Sequence, residues 1–328
     1  MINSTRLAIA LCFGLVAMIG REVRAEVTAE RSERGVVVKI DGELFTEYLT
    51  EAGESPALWP LIGPGGKHMT RAWPVGPAEK GGSKDHPHHQ SLWFTHDEVN
   101  DSNFWSDNRN DRPDGSRAHV KHREFDTVES DGSTARIVTR NDWRNGDKKL
   151  FEDDRTLVFG TRGDDRWIDF TITIKATEGD VTFGDTKEGT FAVRVRDSMC
   201  LRAKMGGRIE NSEGLVDDDP TAKESMTWGI PAKWVDYTGP VEGETVGIAI
   251  FSHPESFRPK TRWHVRDYGL FAANPFGHKD FPKPELAKQG AVTVPQGDEL
   301  TLRYRVLLHR GGTDRAALEE AYQEFAAD

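Results

Sequence analysis

The stretch KDHPHHQSLWFTHDEVN, residues 84–100, gathers four of the chain's eleven histidines within eleven positions and sets them among three carboxylates. If the segment is extended, His86 and His88 project to one face and His89 to the other, so the H-x-H pair can put two imidazoles on one metal ion. Asp85 is then the expected third ligand, with His96, Asp97 and Glu98 as further donors, and a divalent ion such as zinc suits that set. Without a metal, His86 and His88 serve as acid or base, because imidazole exchanges its proton near neutral pH. The plain alternative is structural: rings satisfied by neighbouring backbone and carboxylates. Pro87 has no N–H to donate, which keeps the stretch at a sheet edge or in a loop.

Three further stretches carry comparable chemistry. NDSNFWSDNRND, residues 100–111, sets Trp105 among amides and carboxylates, as suits a sugar whose C–H face stacks on indole while its hydroxyls take hydrogen bonds. DTKEGTFAVRV, residues 185–195, opens with Lys187 beside Glu188, a carboxylate that a neighbouring ammonium keeps ionised as a base; ordinary charged turn residues read the same way. WHVRDYGLFAANPFG, residues 263–277, offers an imidazole, a guanidinium and a phenol. As a strand it would place His264, Arg266 and Tyr268 on one face. The expected catalytic set is therefore His86, His88, Glu188 and His264. Trp105 and Trp263 form the expected stacking floor, Arg266 pairs any negative charge on the substrate, and His89, Lys187, Tyr268 and Asn274 complete the binding residues.

The elements that must hold these groups are strands. RWIDFTITIKA, residues 166–176, alternates Ile168, Phe170, Ile172 and Ile174 with polar residues, the signature of a sheet with one buried face. Similar runs lie at 136–143, 149–159, 190–196, 246–251 and 300–309. Asp41-Gly42 and Asn145-Gly146 are two-residue hairpin signals. Helical period is convincing only near the C-terminus, where Thr313 or Asp314 caps a segment with Ala317, Leu318, Ala321, Tyr322 and Phe325 on one face. The expected fold is all-β: a large antiparallel β-sandwich with one C-terminal helix, and long loops at 61–90, 100–117 and 253–290 that carry function.

The N-terminal MINSTRLAIALCFGLVAMIGREVRA reads as a signal peptide, residues 1–25, ahead of a single domain over 26–328. This predicts a periplasmic or secreted protein with no membrane association after cleavage. Cys12 would leave with the signal, and Cys200 reads as a buried thiol in a strand. A formal net charge of −11 argues against nucleic acid as a partner.

Taken together, DHPHHQSLWF, NFWS, DTKEGTFAVRV, WVDYTG and WHVRDYGLFAANPFG resemble the PmoA-like family of exported bacterial proteins, also called methane oxygenase PmoA, over nearly all of residues 30–325. That family usually reads HHRG where this chain has His88, His89, Gln90 and Ser91, so no role for an arginine after the histidines carries over. The resemblance implies an exported protein whose strands look like the sandwich of galactose-mutarotase-like sugar enzymes. The expectation is a carbohydrate-active protein doing acid/base chemistry of epimerase, lyase or hydrolase type on a small carbohydrate. The alternatives are a metal-dependent hydrolase or oxygenase built on His86 and His88, and a non-catalytic glycan-binding module.

Overall fold

The computed structural model describes residues 25–106, 117–282 and 290–328. The expected signal sequence, apart from its last residue, lies outside them, as do parts of the 100–117 and 253–290 loops. Among the described residues nineteen strands and one helix form, numbered in chain order. One antiparallel sheet has eight strands: β1 (Val27–Arg31), β2 (Gly35–Ile40), β3 (Glu43–Ala52), β4 (Ser55–Leu58), β5 (Leu92–His96), β11 (Gly189–Arg194), β17 (Leu270–Asn274) and β16 (Arg262–Val265). The other has nine: β13 (Val216–Asp217), β12 (Arg208–Asn211), β14 (Trp234–Val241), β15 (Glu244–Ser252), β19 (Glu299–Arg310), β9 (Asp165–Lys175), β8 (Lys148–Arg162), β7 (Ala135–Asn145) and β6 (Ala118–Ser130). Strands β10 (Val181–Phe183) and β18 (Val292–Val294) pair separately.

All six alternating runs lie in strands, because a period of two places every second side chain on one face. In β9 the buried residues are Ile168, Phe170, Ile172 and Ile174, as expected. These meet side chains of the eight-stranded sheet in a shared core, where Phe94 stacks on Phe170 at 6.4 Å and Phe191 on Tyr304 at 4.6 Å. The Asp41-Gly42 turn forms between Ile40 and Glu43 with φ of 51° and 81°. At the second hairpin the turn is displaced by one residue: Asn145 pairs with Lys148, leaving Gly146 and Asp147 at the tip.

Helix α1 (Arg315–Ala326) starts where the Asp314 carboxylate accepts from the N–H groups of Ala316 and Ala317. Its Leu318, Ala321, Tyr322 and Phe325 pack on Trp234, Phe251 and Leu307, covering the outer face of the nine-stranded sheet. The outer face of the eight-stranded sheet receives no described helix and is covered by loops. No helix among the described residues is long and apolar enough to cross a membrane.

Cys200 is buried as expected, but it joins two short 3-10 turns rather than sitting in a strand. Burial pushes its thiol up to about 12, so it carries no thiolate near neutrality.

One buried pair makes stability depend on pH. His309 Nε2 lies 3.0 Å from Asp236 Oδ1. Burial opposes its charge, yet the charge and hydrogen bond of Asp236 prevail and lift the imidazole to about 9. An imidazole with a folded pKa above the unfolded value of about 6.5 contributes stability that is complete below that value and is lost as pH rises through about 9. Thermal melts from pH 6 to 9.5 are expected to show a falling Tm that flattens in His309→Gln; an equally steep fall in the variant rejects the assignment.

Candidate active site

Register builds the floor of the site. Leu49, Ala57, Trp93, Ala192, Ala272 and His264 form one cross-strand line over β3, β4, β5, β11, β17 and β16. Their neighbours along the strands, such as Phe94, Phe191, Phe271 and Trp263, turn the other way into the core between the sheets. The short side chains of Ala192 and Ala272 separate an indole from an imidazole, and the rings of Trp105 and Tyr268 pack into that part of the outer face.

The histidine loop above this floor is held by charge. Arg71 donates to the carbonyl oxygens of Trp73, Asp85, His86 and His89 and to Asp85 Oδ1 at 2.6 Å. Arg194, on β11, donates to the same Asp85 oxygen at 2.8 Å and to His89 Nδ1 at 3.1 Å. A guanidinium can only donate, so His89 Nδ1 is an acceptor and its proton resides on Nε2. Burial works against ionisation of Asp85, but the Arg194 charge and the Arg71 bond outweigh it and hold the carboxyl at about 2. Burial, with His88 and Arg194 nearby, drives His89 well below its ordinary value, so it is neutral. His86 stacks between His89 at 4.7 Å and Tyr268 at 5.0 Å, and His89 continues the stack onto Trp93 at 5.5 Å. His88 stands edge-on to His89 at 4.5 Å.

The second cluster adjoins the first through Tyr268. Strand β16 ends at Val265, and a turn closed by Gly269 N–H donating to the Arg266 carbonyl carries Arg266 and Tyr268. The Arg266 guanidinium lies 5.9 Å from the Tyr268 ring and 5.3 Å from the Trp228 ring. Trp228 Nε1–H donates to His264 Nδ1 at 2.8 Å. An indole cannot accept through its nitrogen, so His264 holds its proton on Nε2, and that atom lies 3.7 Å from Glu188 Oε2. Burial, together with Arg266 and Lys187, pushes His264 down to about 3. The other Glu188 oxygen lies 3.2 Å from Lys187 Nζ. Burial raises the Tyr268 phenol to about 12, so it keeps its proton. The result is a carboxylate facing a neutral imidazole N–H of fixed tautomer, a proton acceptor beside a proton donor.

His86, His88, His89, Glu188, Lys187, His264, Arg266 and Tyr268 thus lie in two adjoining clusters, whereas other expectations are corrected. Trp263 is no stacking floor: it is fully buried between the sheets and donates from Nε1 to the Ala232 carbonyl at 3.0 Å. Trp105 is only 2% exposed and packs on Trp93 at 5.3 Å, so it supports the histidines from beneath. Asn274 is buried and engaged by the fold: its amide donates to the Thr186 and Lys187 carbonyls and accepts from the Phe276 and Gly277 N–H groups. It positions Lys187 and Glu188 from below. Of the expected metal ligands His86, His88 and Asp85, Asp85 and His86 meet, Asp85 Oδ2 lying 3.3 Å from His86 Nδ1, but Asp85 Oδ1 is held by two guanidiniums and His86 is stacked between rings, so the full triad does not form. His96 faces the core, where Nε2 meets the Gly184 carbonyl, and no group of three or more potential ligands occurs among the described residues.

Two hollows adjoin the clusters, and neither has Glu188 or His264 in its lining. One of about 650 Å³ is lined by Arg202, Trp228, Arg266 and Asp267; the other, of about 310 Å³, by Asp85, Arg194, Arg202 and Tyr268. Reading of the sequence missed Arg71, Arg194 and the pairing of Trp228. Arg194 had a signal, since it falls on the same strand face as Ala192 and is a charge inside an apolar run; Arg71 had none.

A large antiparallel sandwich defines the fold class, and imidazole, carboxylate and guanidinium groups cluster on one outer face. A family profile described as a family of unknown function (DUF6807) matches residues 35–323, and the chain belongs to that family. The match does not name the expected PmoA-like family. No curated protein sequence matches the chain. Among solved structures it is similar to the galactosidase domain of an alpha-galactosidase-sucrose kinase, at 11% identity and a TM-score of 0.33 over 64% of this chain and 31% of that one. It is also similar to galactose mutarotase-like proteins from Lactobacillus casei (12% identity, 87% of this chain and 97% of that one, TM-score 0.34) and Clostridium acetobutylicum (11%, 88% and 99%, 0.34). Likeness of this degree leaves the chemistry to be argued from the residues of this chain.

Proposed function

We propose that the protein is a carbohydrate-active enzyme that moves a proton on a sugar or sugar derivative. The observation that carries the reading is the fixed pair of Glu188 carboxylate and His264 Nε2–H, 3.7 Å apart and locked by the Trp228 indole. In this mechanism Glu188 accepts a proton from a sugar hydroxyl or from carbon next to a carbonyl, and His264 donates a hydrogen bond to the oxygen on which charge develops. Lys187 orients the carboxylate, while His86, partly exposed across the Tyr268 ring, is placed to return a proton on the other side. The Trp228 ring, in the wall of the larger hollow, supplies a surface for a pyranose, whose C–H groups stack on aromatic surfaces. Epimerisation or elimination needs only these groups. The N-terminal residues add the proposal that the protein is exported.

The test is a panel of neutral sugars and uronates followed both by melting shift and by product formation in NMR spectra. At least one member is expected to raise Tm and to be converted. Stabilisation without conversion across the panel would make the protein a glycan-binding module, and neither effect from any member rejects a sugar site.

A further inference from the structure

Arg266 is unusual among the cations around the cleft. Arg71 and Arg194 share Asp85, Arg202 pairs with Asp267 at 3.2 Å, and Lys187 pairs with Glu188. Among the described residues the Arg266 guanidinium has no carboxylate and no hydrogen-bond acceptor; it is half-buried and held by two aromatic faces, Trp228 at 5.3 Å and Tyr268 at 5.9 Å. Its five N–H donors are therefore oriented but unspent, at the wall of the 650 Å³ hollow and next to His264.

Local charge points the same way. Two buried guanidiniums, those of Arg71 and Arg194, share the single carboxylate of Asp85, and Arg194 Nε is buried with no partner. The lining of the hollow is itself mixed in charge, with Arg202, Lys223 and Arg266 beside Asp217, Asp219, Glu224 and Asp267. Asp217 is turned into its own loop, accepting from Ser225, Met226 and Thr227, and Asp219 accepts from Thr221. Asp267 is taken by Arg202. Arg266, half-buried and without a carboxylate, is thus the guanidinium left to take an arriving anion, for which a charge-assisted pair is the natural match.

Building on the acid/base sugar reading, we propose that the substrate is an acidic sugar, a uronate whose planar carboxylate is gripped by Arg266 in a two-pronged pair beside the Glu188 and His264 centre. A fork of parallel N–H donors matches a carboxylate better than a hydroxyl, and its aromatic clamp lowers the entropy lost on binding. The carboxylate sets which end of the ring lies over Glu188.

The experiment compares matched probes by calorimetry on the full chain in its Glu188→Gln form, so that binding is read without turnover. The probes are glucuronate against glucose, galacturonate against galactose, their disaccharides, the 6-sulfates of the same sugars, and hexanoate as a carboxylate without a ring. The uronates are expected to bind at least about tenfold more tightly than their neutral twins, the ratio a charge-assisted pair supplies. Adding Arg266→Gln should erase that preference, read as the ratio of uronate to neutral-sugar affinity in the same variant, and Arg266→Lys should restore it only in part. Equal affinity for uronate and neutral sugar overturns the acidic-substrate inference and leaves the sugar reading standing. So does a preference for sulfates over carboxylates, or a uronate preference that survives Arg266→Gln. Hexanoate binding as tightly as the uronates rejects the sugar reading while Arg266 remains an anion site, and no binding by any probe rejects both.

Discussion

Glu188→Gln is expected to lower kcat on any converted sugar by roughly 10²- to 10⁴-fold, the usual contribution of a positioned general base. The substitution keeps the shape of the side chain and removes only the charge. Its one cationic partner, Lys187, has a side chain 41% exposed, so folding loses little. Tm should therefore stay close to that of the unaltered protein while turnover disappears. The pH profile sharpens the test. His264 is held at about 3 by burial and by the neighbouring cations, so it stays neutral from pH 5 to 8 and adds no inflection in that window. A residual rate within a factor of about three of the original removes Glu188 from the mechanism, given what a general base contributes.

Asp85→Asn is expected to produce the largest loss of stability, about 2–3 kcal/mol, less than for a fully buried ion pair because the Asp85 side chain is 34% exposed and solvent screens its charge. Asp85 is the shared carboxylate of Arg71 and Arg194, guanidiniums that are 4% and 1% exposed in their side chains. Without it they face each other uncompensated, and the bonds from Arg71 to the His86 and His89 carbonyls lose their anchor. Activity should fall with stability, because the stack of Tyr268, His86 and His89 depends on this loop. Part of the loss reflects protonation linkage: a carboxyl depressed to about 2 contributes stability above its unfolded value of about 3.9 that disappears as pH falls through about 2. Urea unfolding at pH 7 decides the matter. A midpoint unchanged by the substitution means that the two arginines are satisfied elsewhere, and it would reopen Asp85 for another role.

Much of the site was legible as composition but not as geometry. Residues 84–89, 187–188 and 264–268 stand out in the sequence because imidazole, carboxylate and guanidinium groups are dense there, and these groups do adjoin. Trp263 and Trp105 depart from expectation because a tryptophan beside polar residues looks the same in sequence whether its ring faces a cleft or the core. The strand decides: Trp263 alternates with His264, so one of them had to point inward, and the apolar ring did. Asn274 departs for another reason. An amide that caps a turn and one that binds a ligand share a residue type, and only the position of the Thr186 and Lys187 carbonyls tells them apart.

What the sequence determined by itself was local: the six alternating runs, the Asp41-Gly42 turn and the capped terminal helix, each governed by neighbours a few residues away. What only the tertiary structure decided was partnership. Arg194 meets Asp85 across 109 residues of chain and Trp228 meets His264 across 36, and such contacts follow from strand order and register. Those pairings fix which nitrogen of each histidine carries the proton and which carboxylate is already spent. The reason is physical: a hydrogen bond or ion pair acts over a few ångströms, and folding alone brings such distant residues within that range.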